Sequence, residues 1–291
     1  MIIDEIIERA LEEDLGDGDF TSLATIPENA CGKAQLLIKE DGILAGVEIA
    51  KKIFQKVDKN IKFRILLKDG TKVKKGNIAF TVEGKSISIL SAERLALNFM
   101  QRLSGIATAT DKIVSQLNGL KTKVLDTRKT TPNLRLLEKE AVRIGGGENH
   151  RMGLYDMIMI KDNHVDFAGG IKQAINAAKN YLKKNNKNLK IEIEVRNFDE
   201  LNQVIECGGV DRIMLDNFSQ QDLNKAVKII DGRYETEASG GIIIDNIRKF
   251  AESGVDFISV GALTHHNKSL DMSLKAIKQC RSIKPNSLNN Y

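Results

Sequence analysis

The spacing of hydrophobic residues predicts an N-terminal region that mixes helices and strands. Over the first fifteen residues, Ile3, Ile6, Ile7, Ala10 and Leu11 fall on one helical face. Strand-like apolar runs follow at 34–38, 61–67, 78–82 and 87–90, with a helical run among them at 47–57. Turn pairs that end in glycine, at 41–42, 69–70 and 83–84, separate these segments. The pattern is typical of a compact α+β region.

A long amphipathic helix is predicted next. Ser91 is a favourable N-cap residue for it. Apolar positions 92, 95, 96, 99, 100, 103, 106 and 107 then form a continuous stripe at helical spacing. Arg102 lies just beside this stripe. After Gly119 the pattern changes to short buried runs that end in polar residues.

The second half of the chain alternates between strands and helices. Apolar runs that predict strands lie at 124–126, 157–160, 191–195, 212–216, 234–238 and 257–260. Helical patterns fill the gaps at 171–179, 198–205, 222–230 and 245–251. Regular alternation favours parallel strands joined by crossovers, and six such units favour a barrel. A doubly wound open sheet is the alternative, but its Gly-x-Gly-x-x-Gly turn is absent from the sequence.

Composition narrows the class of protein. A chain of 291 residues has room for a barrel and a smaller companion domain. No apolar run approaches the ~20 residues of a membrane span, and Asp4 and Glu5 stand where a signal peptide would carry basic residues. Three isolated cysteines predict neither disulfides nor a zinc site. A net charge of +5 without tryptophan argues against nucleic acid as a partner. We therefore expect a cytoplasmic protein without membrane or nucleic-acid partners.

The ends of the predicted strands carry the candidate chemistry. In a parallel barrel these ends converge on one mouth. They would bring together Arg128, Lys129, Lys161, Glu194, Asp216, Ser239, Gly240, Gly241, Gly261 and Ala262. Two carboxylates could hold Mg²⁺, while glycine-rich loops could bind phosphate through backbone N–H groups. Each of these features also has another interpretation when it is considered alone. Glu194 and Asp216 could be solvated strand ends, and the glycines could form an ordinary turn. Lys161 could be structural, or it could form an imine with a substrate.

Motifs spread over nearly the whole chain resemble the quinolinate phosphoribosyltransferase family. Their order and spacing carry the resemblance. They are Glu-Asp-Leu-Gly-Asp-Gly-Asp-Phe-Thr at 13–21, Ala-Glu-Arg at 92–94, Gln-Arg-Leu-Ser-Gly-Ile-Ala-Thr at 101–108, Asp-Thr-Arg-Lys-Thr-Thr-Pro at 126–132, Gly-Gly-Gly-Glu-Asn-His-Arg at 145–151, and the segments 154–164, 215–218, 237–242 and 261–265.

The resemblance implies substrates and site residues. The substrates would be quinolinate and phosphoribosyl pyrophosphate, with Mg²⁺ as the cofactor. The family's quinolinate-binding positions match Arg102, Arg128, His150, Arg151 and Lys161. Those for phosphoribosyl pyrophosphate match Lys129, Lys161, Glu194, Asp216 and the two glycine-rich loops, with Ser239, Gly240, Gly241, Val260, Gly261 and Ala262. Thr127 and His265 match further substrate-binding positions. Lys161, Glu194 and Asp216 would be catalytic, and the last two would hold the metal. The spacing to Asp216 selects Glu194 rather than Glu192.

The resemblance also implies an architecture and an assembly. An N-terminal α/β domain at 1–112 would precede an incomplete (β/α) barrel at 113–271, with 272–291 packing back on the first domain. Two chains would form a homodimer, or a larger assembly of dimers, in which Arg102 serves the neighbouring subunit's site. Asn133 stands where the family often has glycine, and His266 replaces a serine. Asn tolerates positive φ, so we expect that turn to survive.

Three other functions remain open at this level. A related transferase of the same fold could act on another acid, as the family member associated with molybdate transport does. A barrel lyase could use Lys161 to form a Schiff base. A non-catalytic binding protein could retain the fold.

Overall fold

The computed structural model describes residues 2–280. Within them the chain forms two compact units, one that runs up to Thr108 and resumes at Lys268, and one that spans Ala109–Asn267. The domain boundaries expected at residues 112 and 271 stay a prediction. Of the segment 272–291 that was expected to pack back, residues 281–291 lie outside the described part.

The elements of the chain are as follows. Up to residue 115 they are α1 (Ile2–Leu15), α2 (Phe20–Thr25), β1 (Cys31–Ile38), β2 (Gly42–Ile43), α3 (Val47–Val57), β3 (Lys62–Ile65), β4 (Lys72–Val73), β5 (Ile78–Lys85) and α4 (Ser86–Ser115). Beyond it they are β6 (Lys123–Leu125), α5 (Arg135–Ile144), β7 (Ile158–Ile160), α6 (Asp162–Ala168), α7 (Ile171–Lys184), β8 (Ile191–Val195), α8 (Phe198–Cys207), β9 (Arg212–Asp216), α9 (Gln220–Ile230), β10 (Glu235–Ser239), α10 (Ile247–Ala251), β11 (Phe257–Ser259), α11 (Ala262–His265) and β12 (Met272–Cys280).

The first unit is built on an antiparallel sheet. Its strands lie in the order β12-β1-β5-β3. Residues of β1 alternate between buried and partly exposed, as expected of a sheet with one face on the core. Phe54, Phe63 and Phe80, from α3, β3 and β5, pack with ring centroids 4.4 to 6.0 Å apart. Phe54 and Phe80 are fully buried, so the cluster contributes to the unit's core. The helices and strands of this unit confirm the predicted α+β mixture.

One predicted strand is wrong. Residues 87–90 lie in helix α4, which begins at Ser86 and not near Ser91. The run Ile87-Ser88-Ile89-Leu90 alternates like a strand over four residues. However, Ile89, Ala92, Ala96 and Phe99 are all buried at helical spacing. The longer period therefore decides the structure, because it lets one continuous face of α4 be buried.

The second unit contains the predicted parallel sheet. All six predicted strands are present, in the order β6-β11-β10-β9-β8-β7. Strand β8 is buried at every residue, as a strand covered on both faces must be. In the described part of the chain no ladder joins β6 to β7, so the barrel is open there and is incomplete, as expected. Glu148 bridges Leu125 beside this gap.

Short loops connect the strand ends to capped helices. Asn197 is the N-cap of helix α8, and its side chain accepts a hydrogen bond from Glu200 N at 2.9 Å. Ser219 is the N-cap of helix α9, and its hydroxyl accepts a hydrogen bond from Asp222 N at 3.2 Å. These caps satisfy first-turn N–H groups directly after β8 and β9. The two caps therefore set the points at which the chain leaves β8 and β9 and enters the following helices. No described helix is both long and apolar enough to cross a membrane.

Candidate active site

The carboxyl ends of the parallel strands line a cavity of about 510 Å³. Because the strands run in one direction, the residues that follow them meet at one end of the sheet. The lining includes eleven predicted site residues: Thr127, Lys129, Lys161, Glu194, Asp216, Ser239, Gly240, Gly241, Gly261, Ala262 and His265. The structure thus brings together the acidic, lysine and glycine-rich parts of the predicted site.

Two carboxylates at the ends of β8 and β9 lie at this cavity. The ammonium group of Lys161 is 3.6 Å from a carboxylate oxygen of Glu194. Burial raises the pKa of Glu194; Lys161 acts in the opposite direction, and the charge of Asp216 adds to the rise. Burial also raises the pKa of Asp216. Lys161 therefore offsets only part of the free-energy cost of keeping both carboxylates charged. A bound cation would lower that cost further.

The turn after β10 requires glycine at its first position. Gly240 has φ of 95°, which side chains rarely adopt. A Cβ atom there would also collide with the side-chain amide of Asn217. That amide donates a hydrogen bond to Asp216 Oδ2 at 2.6 Å. A turn without side chains can present its N–H groups to a phosphate, directly beside the two acids.

Lys129 enters the cavity from the loop after β6. The hydroxyl of Thr264 donates to Lys129 O at 2.7 Å, and Lys129 N donates to Thr127 Oγ1 at 3.1 Å. Gly261 leaves room for the side chain, since a Cβ there would lie 3.1 Å from Lys129 Cδ. Burial, helped by the charges of His266 and Lys129, lowers the pKa of His265. The loop thus presents Lys129 to the cavity beside the His265 ring.

Arg128 and Arg151 form a second cationic group next to this cavity. Burial lowers the pKa of Arg151, and the charge of Arg128 lowers it further. Among the described residues, Arg128 Nε is buried without a hydrogen-bond partner. Arg151 Nη1 donates to Met157 O at 3.3 Å, and Arg151 lines a separate cavity of about 420 Å³. Two half-buried guanidinium groups that repel each other form a favourable site for a planar dianion.

Val260 and Arg102 are two further predicted site residues. Val260 is buried, and its backbone N donates to Leu125 O at 3.0 Å, next to Gly261. Arg102 lies on α4 in the first unit, half-buried. The roles that the resemblance gives to Val260 and Arg102 stay predictions.

His150 points into the barrel interior. Its ring Nε2 lies 3.0 Å from Glu192 and 3.5 Å from Glu237. Burial lowers the pKa of His150, but the two carboxylates outweigh it and raise the pKa to about 9. Against this, Arg151 N donates to His150 Nδ1 at 2.7 Å, which favours the neutral ring. In either state the proton is on Nε2, the ring nitrogen that lies beside the two carboxylates. Direct contact of His150 with a substrate stays a prediction.

The barrel interior also holds two charged residues to which the sequence analysis gave no role, Glu237 and Arg212. His150, Glu192 and Glu237 have ligand-type atoms within 4.8 Å of one another. However, Arg212 Nη1 lies 3.0 Å from Glu237, and its guanidinium lies 4.0 Å above the ring of Phe257. Because this buried guanidinium already supplies positive charge, we interpret the cluster as an ion-pair network and not as a metal site. Polar residues within otherwise apolar strands were its only sequence signal.

A second buried pair supports the loops around the gap. Lys139 of α5 pairs with Asp126, and both side chains are fully buried. Burial lowers the pKa of Lys139 and raises that of Asp126. Lys139 Nζ also donates to His150 O at 3.0 Å, and Asp126 accepts from His150 N at 2.9 Å. The pair thus fixes the backbone on both sides of the His150 ring.

Lys139→Met is expected to lower the free energy of unfolding by about 3–5 kcal/mol, because it leaves Asp126 buried and unpaired. Urea denaturation would measure the loss. Arg143→Met is the matched control on the same helix, since the Arg143–Glu140 pair is exposed on both sides. It should cost less than about 1 kcal/mol. Equal losses in the two variants would show that the buried pair contributes no more to the free energy of unfolding than the exposed pair does.

Comparison with known proteins places this chain in a family. Residues 19–104 match the N-terminal domain of quinolinate phosphoribosyl transferase, and residues 106–275 match its C-terminal domain. The chain belongs to the quinolinate phosphoribosyltransferase family. The matches confirm the family that the sequence motifs predicted.

Individual members of the quinolinate phosphoribosyltransferase family are similar over most of their length. Quinolinate phosphoribosyltransferase [decarboxylating] 1b of Nicotiana tabacum is 47% identical, with 93% of this chain and 81% of that protein covered. The probable nicotinate-nucleotide pyrophosphorylase [carboxylating] of Bacillus subtilis is 43% identical, with 90% and 89% covered. The solved nicotinate-nucleotide pyrophosphorylase of Francisella tularensis has a TM-score of 0.89 at 44% identity, with 95% and 96% covered. These matches confirm the predicted fold.

Proposed function

We propose that this enzyme transfers the phosphoribosyl group of phosphoribosyl pyrophosphate to quinolinate and removes one carboxylate. The products are nicotinate mononucleotide, pyrophosphate and CO₂, a step of de novo NAD biosynthesis. One observation carries the proposal beyond family membership. The cavity lined by lysines, paired acids and glycine turns includes Thr127 and Lys129, the chain neighbours of Arg128, and the charge of Arg128 acts on Arg151. The loop after β6 can therefore contribute both to a polyphosphate site and to a dicarboxylate site.

The cavity with the paired acids would bind phosphoribosyl pyrophosphate. Lys129 and Lys161 would neutralise the phosphate oxygens, and the turns at Gly240 and Gly261 would donate backbone N–H groups to them. When pyrophosphate departs, the ribosyl carbon gains cationic character. The carboxylates of Glu194 and Asp216 lie where they can stabilise that charge.

Glu194 and Asp216 also fit the expected Mg²⁺. They are oxygen donors, and their raised pKa values show two charges that a cation would stabilise. Mg²⁺ in proteins is held by one or two carboxylates together with substrate phosphates, which matches this cavity. When bound, the ion would supply charge neutralisation for the departing pyrophosphate. Among the described residues, Lys161 is the cation within salt-bridge distance of Glu194.

Glu194→Gln and Asp216→Asn are each expected to lower kcat/KM for phosphoribosyl pyrophosphate about 10- to 100-fold, the effect of losing a charge-assisted contact. Titration of Mg²⁺ at fixed substrate would show half-maximal activity shifted to higher metal concentration. Asp222→Asn, at an exposed cap of α9, is the control and should leave the titration unchanged. An unshifted Mg²⁺ titration in both site variants would remove the metal assignment.

The Arg128–Arg151 pair would bind the carboxylates of quinolinate. Arginine offers two parallel N–H donors to a carboxylate, and two carboxylates need two such groups. The clamps would hold the ring nitrogen in line with the ribosyl carbon. After transfer the ring is cationic, so it stabilises the electron pair left when the adjacent carboxylate departs as CO₂. Solvent then supplies the proton that takes its place.

The active unit is proposed to be a homodimer, or an assembly of dimers, in which Arg102 serves the partner's site. Support comes from the open side of the barrel, where large apolar side chains are exposed. Leu154, Tyr155 and Phe167 are 71%, 75% and 91% exposed in the single chain. Apolar groups of this size, clustered around β7 and α6, are typical of an interface. We further propose a cytoplasmic location, although plant relatives carry the words chloroplastic or mitochondrial in their names.

Product analysis tests the function. The enzyme would be incubated with quinolinate, phosphoribosyl pyrophosphate and Mg²⁺, while nicotinate mononucleotide and CO₂ are measured together. Equal amounts of both products, with little turnover of nicotinate, are expected. Turnover of another acid would assign the enzyme to a paralogous reaction. Covalent trapping of Lys161 by borohydride with a carbonyl substrate would instead support a lyase, which the contact of Lys161 with Glu194 argues against.

A further inference from the structure

Helix α5 lies beside both loops that carry the arginine pair. The loop before it contains Arg128, and the segment after it contains Arg151. Three charged side chains on its inner face are turned towards these loops rather than towards solvent: Arg135, Glu138 and Lys139.

Arg135 joins the two loops through one guanidinium group. Its Nε donates to Thr130 Oγ1 at 3.0 Å, and its Nη1 donates to Met152 O at 3.0 Å. Its Nη2 reaches Arg128 O at a longer 3.4 Å. The three acceptors lie on both sides of Lys129 in one loop and next to Arg151 in the other. A single rigid fork therefore sets the distance between the two loops.

Two further residues of α5, Glu138 and Lys139, also bind these two loops. Glu138 accepts a hydrogen bond from Thr131 N at 3.1 Å. Lys139 binds Asp126 and donates to His150 O at 3.0 Å. Each loop is thus attached to α5 at two or more points. In the described residues no ladder joins β6 to β7, and the backbone pairing across this gap is confined to Glu148, which bridges Leu125.

We propose that α5 replaces the missing strand pairing as a brace, and that Arg135 is a positioning residue for the acid substrate. The inference rests on the proposed function, since it assumes that Arg128 and Arg151 bind the two carboxylates of a planar diacid. Arg135 does not touch the substrate. It fixes the spacing of the two groups that do.

The brace should affect the two substrates unequally. Loss of Arg135 frees Met152 O and Thr130, and with them the spacing between Arg128 and Arg151. Lys129 keeps its own anchor, because Thr264 donates to Lys129 O independently of Arg135. Binding of the diacid should therefore weaken while binding of the pyrophosphate donor changes little.

Steady-state kinetics with each substrate varied in turn would test the brace in Arg135→Ala. We expect the KM for quinolinate to rise about 10- to 100-fold, the scale of effect that a misplaced clamp produces. The KM for phosphoribosyl pyrophosphate should stay within about threefold of the wild-type value. Arg135→Lys keeps the charge but cannot reach three acceptors at once. Its KM for quinolinate should therefore lie between the values of the wild type and of Arg135→Ala. Arg143→Ala, on the exposed side of α5, should match the wild type.

Hydrogen exchange supplies a readout that does not depend on activity. In Arg135→Ala, amides of the segment 150–156 should exchange faster, while those of β8 and β9 keep their protection. An unchanged quinolinate KM, or an equal rise in both KM values, would overturn the brace. Absence of quinolinate turnover in the wild-type enzyme would instead overturn the proposed function, and the exchange experiment would still decide whether Arg135 holds the loops.

Discussion

Arg128→Ala and Arg151→Ala are each expected to lower kcat/KM for quinolinate about 30- to 1,000-fold, equivalent to about 2–4 kcal/mol of transition-state binding. The reason is that each substitution leaves a substrate carboxylate without its cationic partner in a half-buried site. The remaining arginine cannot compensate, because one planar fork binds one carboxylate. Kinetics with quinolinate varied at saturating phosphoribosyl pyrophosphate would measure the loss.

Stability separates this binding role from a structural one. Burial is the main cause of the lowered pKa of Arg151, and repulsion by the charge of Arg128 adds to it. Arg128→Ala removes that repulsion and a buried Nε without a partner among the described residues. The variant should therefore unfold at a temperature no lower than the wild type while losing activity. A change of less than about threefold in kcat/KM for both alanine variants would refute the clamp assignment.

Lysine substitutions test the geometry of the clamp. Arg151→Lys keeps a positive charge but replaces a planar fork by a point charge. If attraction between charges were enough, this variant would retain most of the activity. We expect it to retain little, because the proposed reaction needs the ring nitrogen aligned with the ribosyl carbon.

The sequence predicted most of the cavity because strand ends in a parallel sheet converge by topology. Glu194 and Asp216 end two buried apolar runs, so their meeting required only the strand order. Gly240 and Gly241 follow the next run for the same reason. Such residues can be placed from the pattern alone.

Helix α5 was not predicted, for an identifiable reason. Glu138 and Lys139 occupy buried positions on it, and charged residues at those positions interrupt the apolar stripe that signals a helix. Their partners, Thr131, Asp126 and His150, lie in loops whose distance from α5 no periodicity encodes. The orientation of His150 could not be predicted from the sequence for the same reason, because its partners Glu192 and Glu237 come from strands far along the chain.

Mixing two inactive variants provides the strongest test of the assembly. Arg102→Ala and Arg128→Ala are each expected to be nearly inactive alone. If Arg102 completes the partner's site, a hybrid dimer contains one site in which both arginines are intact. Random reassociation of equal amounts makes half of the dimers hybrids, so activity should recover to about a quarter of the wild-type value.

A second mixture is the matched control. Arg128→Ala and Arg151→Ala both alter the barrel of their own chain, so every site in their hybrid lacks one clamp. This mixture should therefore stay inactive although its hybrids form equally well. Two affinity tags purified in sequence would verify the hybrids in both cases. If verified Arg102/Arg128 hybrids also stay inactive, Arg102 does not act across an interface, and the exposed residues around β7 would need another explanation.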